Sequence, residues 1–224
     1  MAIELNSDSH LPLRETRFLS EEDANKVHTL SLILEELEYN TQRAVRRAGR
    51  NRLHAQIDFL SKPLSDEEVD LLPKKLTSLS NEMIYDYKGW RCDLSLITEL
   101  LKKSIEDIEP HGGHQFIPVE IFNTESKKLG DAFFWKILNV IDAIRLDSGG
   151  IKPVSGLEIM EDSALTYTYT EKINLYADRV LGKAAWYDMR LGVSKIISDS
   201  LLDIIKKNDS SNINMTTAEI LIEK

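Results

Sequence analysis

The amino-acid sequence predicts an α+β fold. A helical N-terminal part over residues 1–82 packs on a mixed, largely antiparallel sheet with short helices over residues 83–224. Three observations point there. Val27, Leu30, Leu34, Leu37, Thr41, Ala44 and Ala48 recur at alternating spacings of three and four, which is one stripe of a long helix. After residue 82 the pattern shifts to segments with the two-residue period of strands, His114 to Phe122 being the clearest. No stretch rich in Gly, Pro or Ser separates the parts, and 42% hydrophobic with 29% charged residues is ordinary for a chain that buries a core.

In chain order, Ser20 followed by Glu21, Glu22 and Asp23 supplies an N-cap with acids facing the positive end of the helix dipole, and Gly49 stops the helix. A short helix carrying Leu53, Ile57 and Leu60 ends before Pro63. Ser65-Asp66-Glu67-Glu68 has capping-box spacing, and Pro73 halts the segment it opens. Met83 to Cys92 reads as a strand. Ser95 introduces an amphipathic helix through Leu96, Ile97, Leu100, Leu101, Ile105 and Ile108, which ends before Pro110. Ala132 to Ile144 is apolar, aromatic and branched, and is expected as one central strand. Asp147-Ser148-Gly149-Gly150 is a turn. Thr166 to Tyr169 and Ile173 to Val180 suit a pleated, half-buried surface. Lys195-Ile196-Ile197 leads into a capped helix, Ser198 to Lys207, and Thr216 to Ile222 closes the chain as a strand. The end Ile204-Ile205-Lys206-Lys207 echoes Leu100-Leu101-Lys102-Lys103. A degenerate repeat of strand, capped helix and strand would explain the echo, but chance alone produces such helices often and is the simpler reading.

Charge narrows the function. The chain carries 28 basic and 37 acidic residues, a formal −9, which disfavours a polyphosphate binder and suits a basic partner. Arg43, Arg46, Arg47, Arg50 and Arg52 form the one basic cluster; it could grip phosphate, but pairing with surrounding acids is the preferred reading. Cys92 alone excludes an intrachain disulfide and a multi-cysteine zinc site. The N-terminal residues lack the basic and apolar regions of a signal peptide, and Lys136, Asn139 and Asp142 interrupt the best apolar run. The expectation is a soluble cytoplasmic protein with no membrane segment and no cofactor.

Catalytic motifs are missing. There is no Walker loop, dinucleotide fingerprint, His-Glu-x-x-His or calcium loop. His111-Gly112-Gly113-His114 tempts a metal or oxyanion-loop reading, for which Glu109, Glu120 and Asp142 are nominal partners. The segment lacks a Gly-x-Ser-x-Gly elbow, and Pro110 with two glycines explains it as a turn entering a strand. Cys92, beside Trp90, is expected to be a buried, inert thiol, and Trp90, Trp135 and Trp186 are expected as core or interface anchors. A hydrolase or modification-reversing enzyme using His111 and His114 with nearby carboxylates is the alternative reading.

Three segments carry a family resemblance. The run from Glu109 to Ile121, Glu-Pro-His-Gly-Gly-His-Gln-Phe-Ile-Pro-Val-Glu-Ile, resembles an "E-P-G-x-H-Q-F-F-P-V-E" stretch. Phe133 to Ile144 is similar to an aromatic "L-N-V-x-D-A-I-D" strand, and Ile196-Ile197-Ser198-Asp199-Ser200-Leu201 to an "F-V-S-D-x-L" strand-to-helix step. Together, over residues 84 to 222, they resemble immunity family eleven of the bacterial polymorphic toxin systems. Gly113 lengthens the family's turn, Arg145 stands where an acid is usual, and residues 1–80 lie outside the pattern. The resemblance implies a non-enzymatic protein that binds and neutralises a cognate secreted toxin, delivered by type VI or contact-dependent machinery, in the producing cell's cytoplasm. His114, Gln115, Phe116 and Pro118 are then expected to shape one strand, Asn139 and Asp142 to satisfy backbone groups nearby, and Ser198 and Asp199 to open the last helix. Toxin contacts are sought elsewhere, at the acidic loop of Glu158, Glu161 and Asp162 and on the N-terminal helices.

Overall fold

The computed structural model describes residues 2–5, 16–18, 20–47, 59–79, 81–83, 87–89, 94–145, 151–153, 167–169, 173–191, 195–207 and 215–223. The first elements are β1 (Ala2–Leu5), β2 (Thr16–Phe18), α1 (Glu21–Arg47), α2 (Asp66–Val69), β3 (Lys75–Ser78), β4 (Tyr87–Gly89), β5 (Ser95–Thr98), α3 (Glu99–Ile108), β6 (His114–Phe122) and β7 (Lys128–Ile137). There follow β8 (Val140–Ile141), β9 (Ile151–Pro153), β10 (Tyr167–Tyr169), β11 (Ile173–Tyr176), α4 (Ala177–Val180), β12 (Ala185–Asp188), β13 (Lys195–Ser198), α5 (Asp199–Lys207) and β14 (Met215–Glu223). The α+β expectation stands. Residues 1–82, expected as helical, also supply three strands: β2 and β3 join one sheet, and β1 joins another more than a hundred residues downstream.

Local rules account for several elements. The Ser20 hydroxyl accepts the Asp23 amide at 3.1 Å and opens α1 as expected. Ser65 and Glu68 form a complete capping box on α2. Ser95 does not begin a helix. It is the first residue of β5, and Thr98 is the cap of α3, its hydroxyl accepting the Leu101 amide. Leu96 and Ile97 are both fully buried because β5 lies inside a sheet covered on both faces. Ile173 to Val180 is likewise not one strand. The chain leaves β11 at Tyr176 and turns through α4, which swings Val180 into the core beside Leu175 and Trp186. Of Met83 to Cys92, only Tyr87–Gly89 is described as strand. The turn at 147–150, the helix positions 53 and 57, Trp90 and Cys92 lie outside the described residues.

Two six-stranded sheets run in the orders β2-β3-β6-β7-β5-β4 and β11-β14-β1-β13-β12-β8. They share one plan. In the first, β3 is parallel to β6, and β6, β7, β5 and β4 follow antiparallel. In the second, β11 is parallel to β14, and β14, β1, β13 and β12 follow antiparallel. In each sheet one strand runs directly into a capped helix, β5 into α3 and β13 into α5. The Ser198 hydroxyl accepts the Leu201 amide as the Thr98 hydroxyl accepts that of Leu101. The internal repeat is therefore built into the architecture, and chance similarity is the reading that fails. In the second copy the place of β7 is taken by β1, from the far end of the chain.

The two halves meet in one core. Leu101 and Ile105 of α3 and Leu201, Leu202 and Ile205 of α5 lie with Ile97, Trp135, Ile137, Ala185, Tyr187 and Ile197. A second core, holding Leu30, Leu72, Leu76, Leu96, Ile117, Val119, Ile121 and Phe134, lies under α1 on the other face of the first sheet. Ala132 to Ile144 is not one strand. It runs as β7 to Ile137, breaks at Leu138 and Asn139, and re-forms as β8, which pairs parallel to β12 in the second sheet. The break is where the two halves are joined. Trp135 and Trp186 are core anchors, each 1% exposed.

Candidate functional site

Two of the family-motif residues, His114 and Asn139, meet Glu109 in a buried polar junction between the halves. Its centre is Glu109, the C-cap of α3, buried in a region where a bare carboxylate would be very costly. Four donors surround it. The Lys183 ammonium lies 2.7 Å from Oε1 and the Ala184 amide 3.0 Å from Oε2. The Asn139 amide nitrogen is 3.0 Å from both oxygens and also reaches the Ala185 carbonyl at 2.9 Å. The His114 Nε2 lies 3.1 Å from Oε2. Burial would raise the Glu109 pKa, but hydrogen bonds from His114, Lys183 and the Ala184 backbone outweigh it and hold the pKa at about 2. One carboxylate thus ties the end of α3, the break after β7 and the turn before β12.

The histidine's role follows from its partners. The Trp135 indole nitrogen, which can only donate, lies 3.2 Å from His114 Nδ1. Nδ1 is therefore the acceptor, and Nε2 carries the proton that it donates to Glu109. Both ring nitrogens are committed, and the side chain is 2% exposed. Such an imidazole offers no free lone pair to a metal or to a substrate proton. Gly113 makes the close approach possible. Its φ is +94°, and a Cβ there would lie 2.5 Å from both Asn139 Oδ1 and Glu109 Oε1. The glycine that lengthens the turn is the residue that lets the junction close.

The other predicted residues take separate structural places. The Gln115 amide accepts from the Leu64 amide at 2.8 Å and donates to the Leu64 carbonyl at 3.0 Å, standing in for a neighbouring strand. Pro118 is exposed on the stretch of β6 before β3 begins to pair at Glu120, where a missing amide proton removes no ladder bond. Phe116 packs at the edge of the shared core under the Lys102 ammonium. Ser198 caps α5, and Asp199 lies in its first turn. His111 is exposed and is not brought to His114. Glu120 pairs with Lys128 at 2.8 Å on the surface. Among the described residues, no group of three or more His, Cys, Asp or Glu is placed to hold a metal ion.

Asp142 corrects one expectation. It does not satisfy backbone amides. Its carboxylate takes two bonds from Arg190, at 2.6 and 3.2 Å, while Arg179 reaches its carbonyl. The backbone work falls to Asp188, fully buried at the end of β12, which accepts the Ala143 and Ile144 amides and the Arg190 amide. Burial, together with the nearby Asp142 charge, pushes the Asp188 pKa up to about 7 against those amide bonds. Sequence reasoning named Glu109 only as a nominal metal partner and missed Lys183, Asp188 and Arg190. Asp188 and the Arg190 amide form a two-residue Asx turn, a local signal that was available. Lys183 carries none, since it meets Glu109 across 74 residues.

Elsewhere, Arg43 is exposed near the end of α1, and Arg46 and Arg47 continue that helix. Arg50, Arg52, Glu158, Glu161 and Asp162 lie outside the described residues. Among the described residues no helix is long and apolar enough to cross a membrane.

The model of the Immunity protein family (Imm11) matches this chain over residues 25–219. Among curated proteins none matches it. The family match takes in most of α1 and everything from there into β14, well beyond the motif segments at 109–121, 133–144 and 196–201, and leaves out β1 and β2. On that match, which spans nearly the whole chain, the protein belongs to the Imm11 immunity protein family.

Proposed function

We propose that this protein neutralises a cognate protein toxin in the cytoplasm of the bacterium that makes it, by binding the toxin rather than by chemistry of its own. The toxin arrives through interbacterial delivery of the type VI or contact-dependent kind. The match to an immunity family over residues 25–219 is the observation that carries the reading. The geometry supports it from another side. The motif residues that most invite a catalytic role, Glu109, His114 and Asn139, spend their polar atoms on one another, on Lys183 and on the backbone at Ala184 and Ala185. They hold the two halves of the fold together, which leaves recognition to the outer surface. An acidic inhibitor meeting a basic toxin associates quickly through electrostatic steering, and buried contacts then set the residence time.

Expression of the toxin gene that neighbours this protein's gene, with and without this protein, tests the proposal. Rescue of growth together with co-purification of the two chains is expected. Growth arrest in both strains and no co-purification would overturn it.

A further inference from the structure

We infer that the outward face of α1, centred on Leu32 and Tyr39, is the surface that docks the toxin, and that it fits an apolar groove rimmed by lysine or arginine. The inference rests on the proposed neutralising role and adds its location. Among the described residues of α1, only those of the first turns are fully buried. Val27 and Leu30 are fully buried and Leu34 packs against the core under the helix. From Leu34 to Arg43 every described side chain is half-buried or exposed, over roughly 14 Å of helix at 1.5 Å per residue.

Surface helices usually turn polar residues outward. Here Leu32 is 52% and Tyr39 63% exposed. They stand seven residues apart, two turns along the same face and opposite the buried Val27. Glu35 and Glu36 lie between them, and Ile33 is exposed beside them. Between Lys26 and Arg43 the sequence has three glutamates and no lysine or arginine. Two large apolar anchors at helical spacing, flanked by carboxylates, are what a helix presents to a groove. Tyrosine is among the residues that dominate such interfaces. The charge selects the occupant. A basic rim complements Glu35 and Glu36, whereas a second copy of this −9 chain brings net like charge to the same face.

The test uses full-length protein and the catalytically inactivated toxin encoded beside it. Leu32→Ser with Tyr39→Ser is expected to weaken binding by about 30-fold or more, with the thermal midpoint unchanged because both side chains point away from the core. Glu35→Lys with Glu36→Lys is expected to slow association about tenfold at low salt and to flatten its salt dependence. Wild-type protein that binds while both variants bind equally well overturns the docking surface and leaves the neutralising role standing. Wild-type protein that fails to bind overturns both. A wild-type dimer that becomes monomeric in the Leu32/Tyr39 variant assigns the face to a second copy and also overturns the inference.

Discussion

Replacing Glu109 by glutamine removes the charge at the centre of the junction and leaves the shape. The magnitude comes from the carboxylate itself. Its pKa is held at about 2 against an ordinary 4.5, a difference equivalent to about 3 kcal/mol of folding stability at neutral pH. The pKa is depressed in the folded protein, so this contribution is complete above about pH 4.5 and is lost as pH falls toward 2. Glutamine offers one acceptor oxygen where the carboxylate served Lys183, the Ala184 amide and His114 together. The variant is therefore expected to lose about 2–4 kcal/mol at pH 7, as other buried pairs do when one partner is removed. For a chain of this size that lowers the melting midpoint by about 4–16 °C. Urea unfolding followed by circular dichroism at pH 7 and at pH 3 is the assay. Wild type is expected to lose stability between these values through Glu109, and the variant is expected to lose that component. A glutamine variant as stable as wild type at pH 7, with the same fall toward pH 3, would refute the account of the junction.

Four further outcomes follow from the same geometry. Asp188 has its pKa raised to about 7, so the stability tied to its protonation is present below about pH 4 and declines as pH rises toward 7. Asp188→Asn should flatten that part of the urea-midpoint profile, and an unchanged profile contradicts it. Gly113→Ala, with a Cβ driven onto Asn139 and Glu109, should cost about 1–3 kcal/mol by thermal melting. Deleting residues 1–6 removes the strand between β13 and β14 and should raise amide exchange across both, while β6 and β7 keep their protection. His111→Ala should leave both stability and growth protection unchanged, since the side chain is exposed and takes no part in the hydrogen bonds to Glu109; loss of protection would revive a role for this histidine in chemistry.

What was legible in the sequence was local. The capping box at Ser65–Glu68 and the strand His114–Phe122 depend on spacings of a few residues, and the structure has both. Ser95 misled because serine is the better N-cap of the two and precedes Thr98, and a strand buried on both faces shows the apolar run of a helix start. The echo between Leu100-Leu101-Lys102-Lys103 and Ile204-Ile205-Lys206-Lys207 pointed at a true repeat in the wrong register. The structurally equivalent pairs are Thr98 with Ser198, Leu101 with Leu201 and Ile105 with Ile205, so the lysine match was slipped by one helical turn. The circular exchange of β1 for β7 hid the rest, since the completing strand lies at the opposite end of the chain. The junction was half visible. Its glutamate, histidine and asparagine stood in the motif segments, while Lys183 and the Ala184 amide enter only when the second half folds against the first.

A titration separates blockade from chemistry most directly. Purified protein is added in steps to a fixed amount of active toxin from the neighbouring gene, and the remaining toxin activity is read at each step. Neutralisation by binding predicts a linear fall that reaches zero at a fixed stoichiometric equivalence. Complete loss of toxin effect at a small fraction of an equivalent, growing with time, would contradict it and show that this protein acts by turnover.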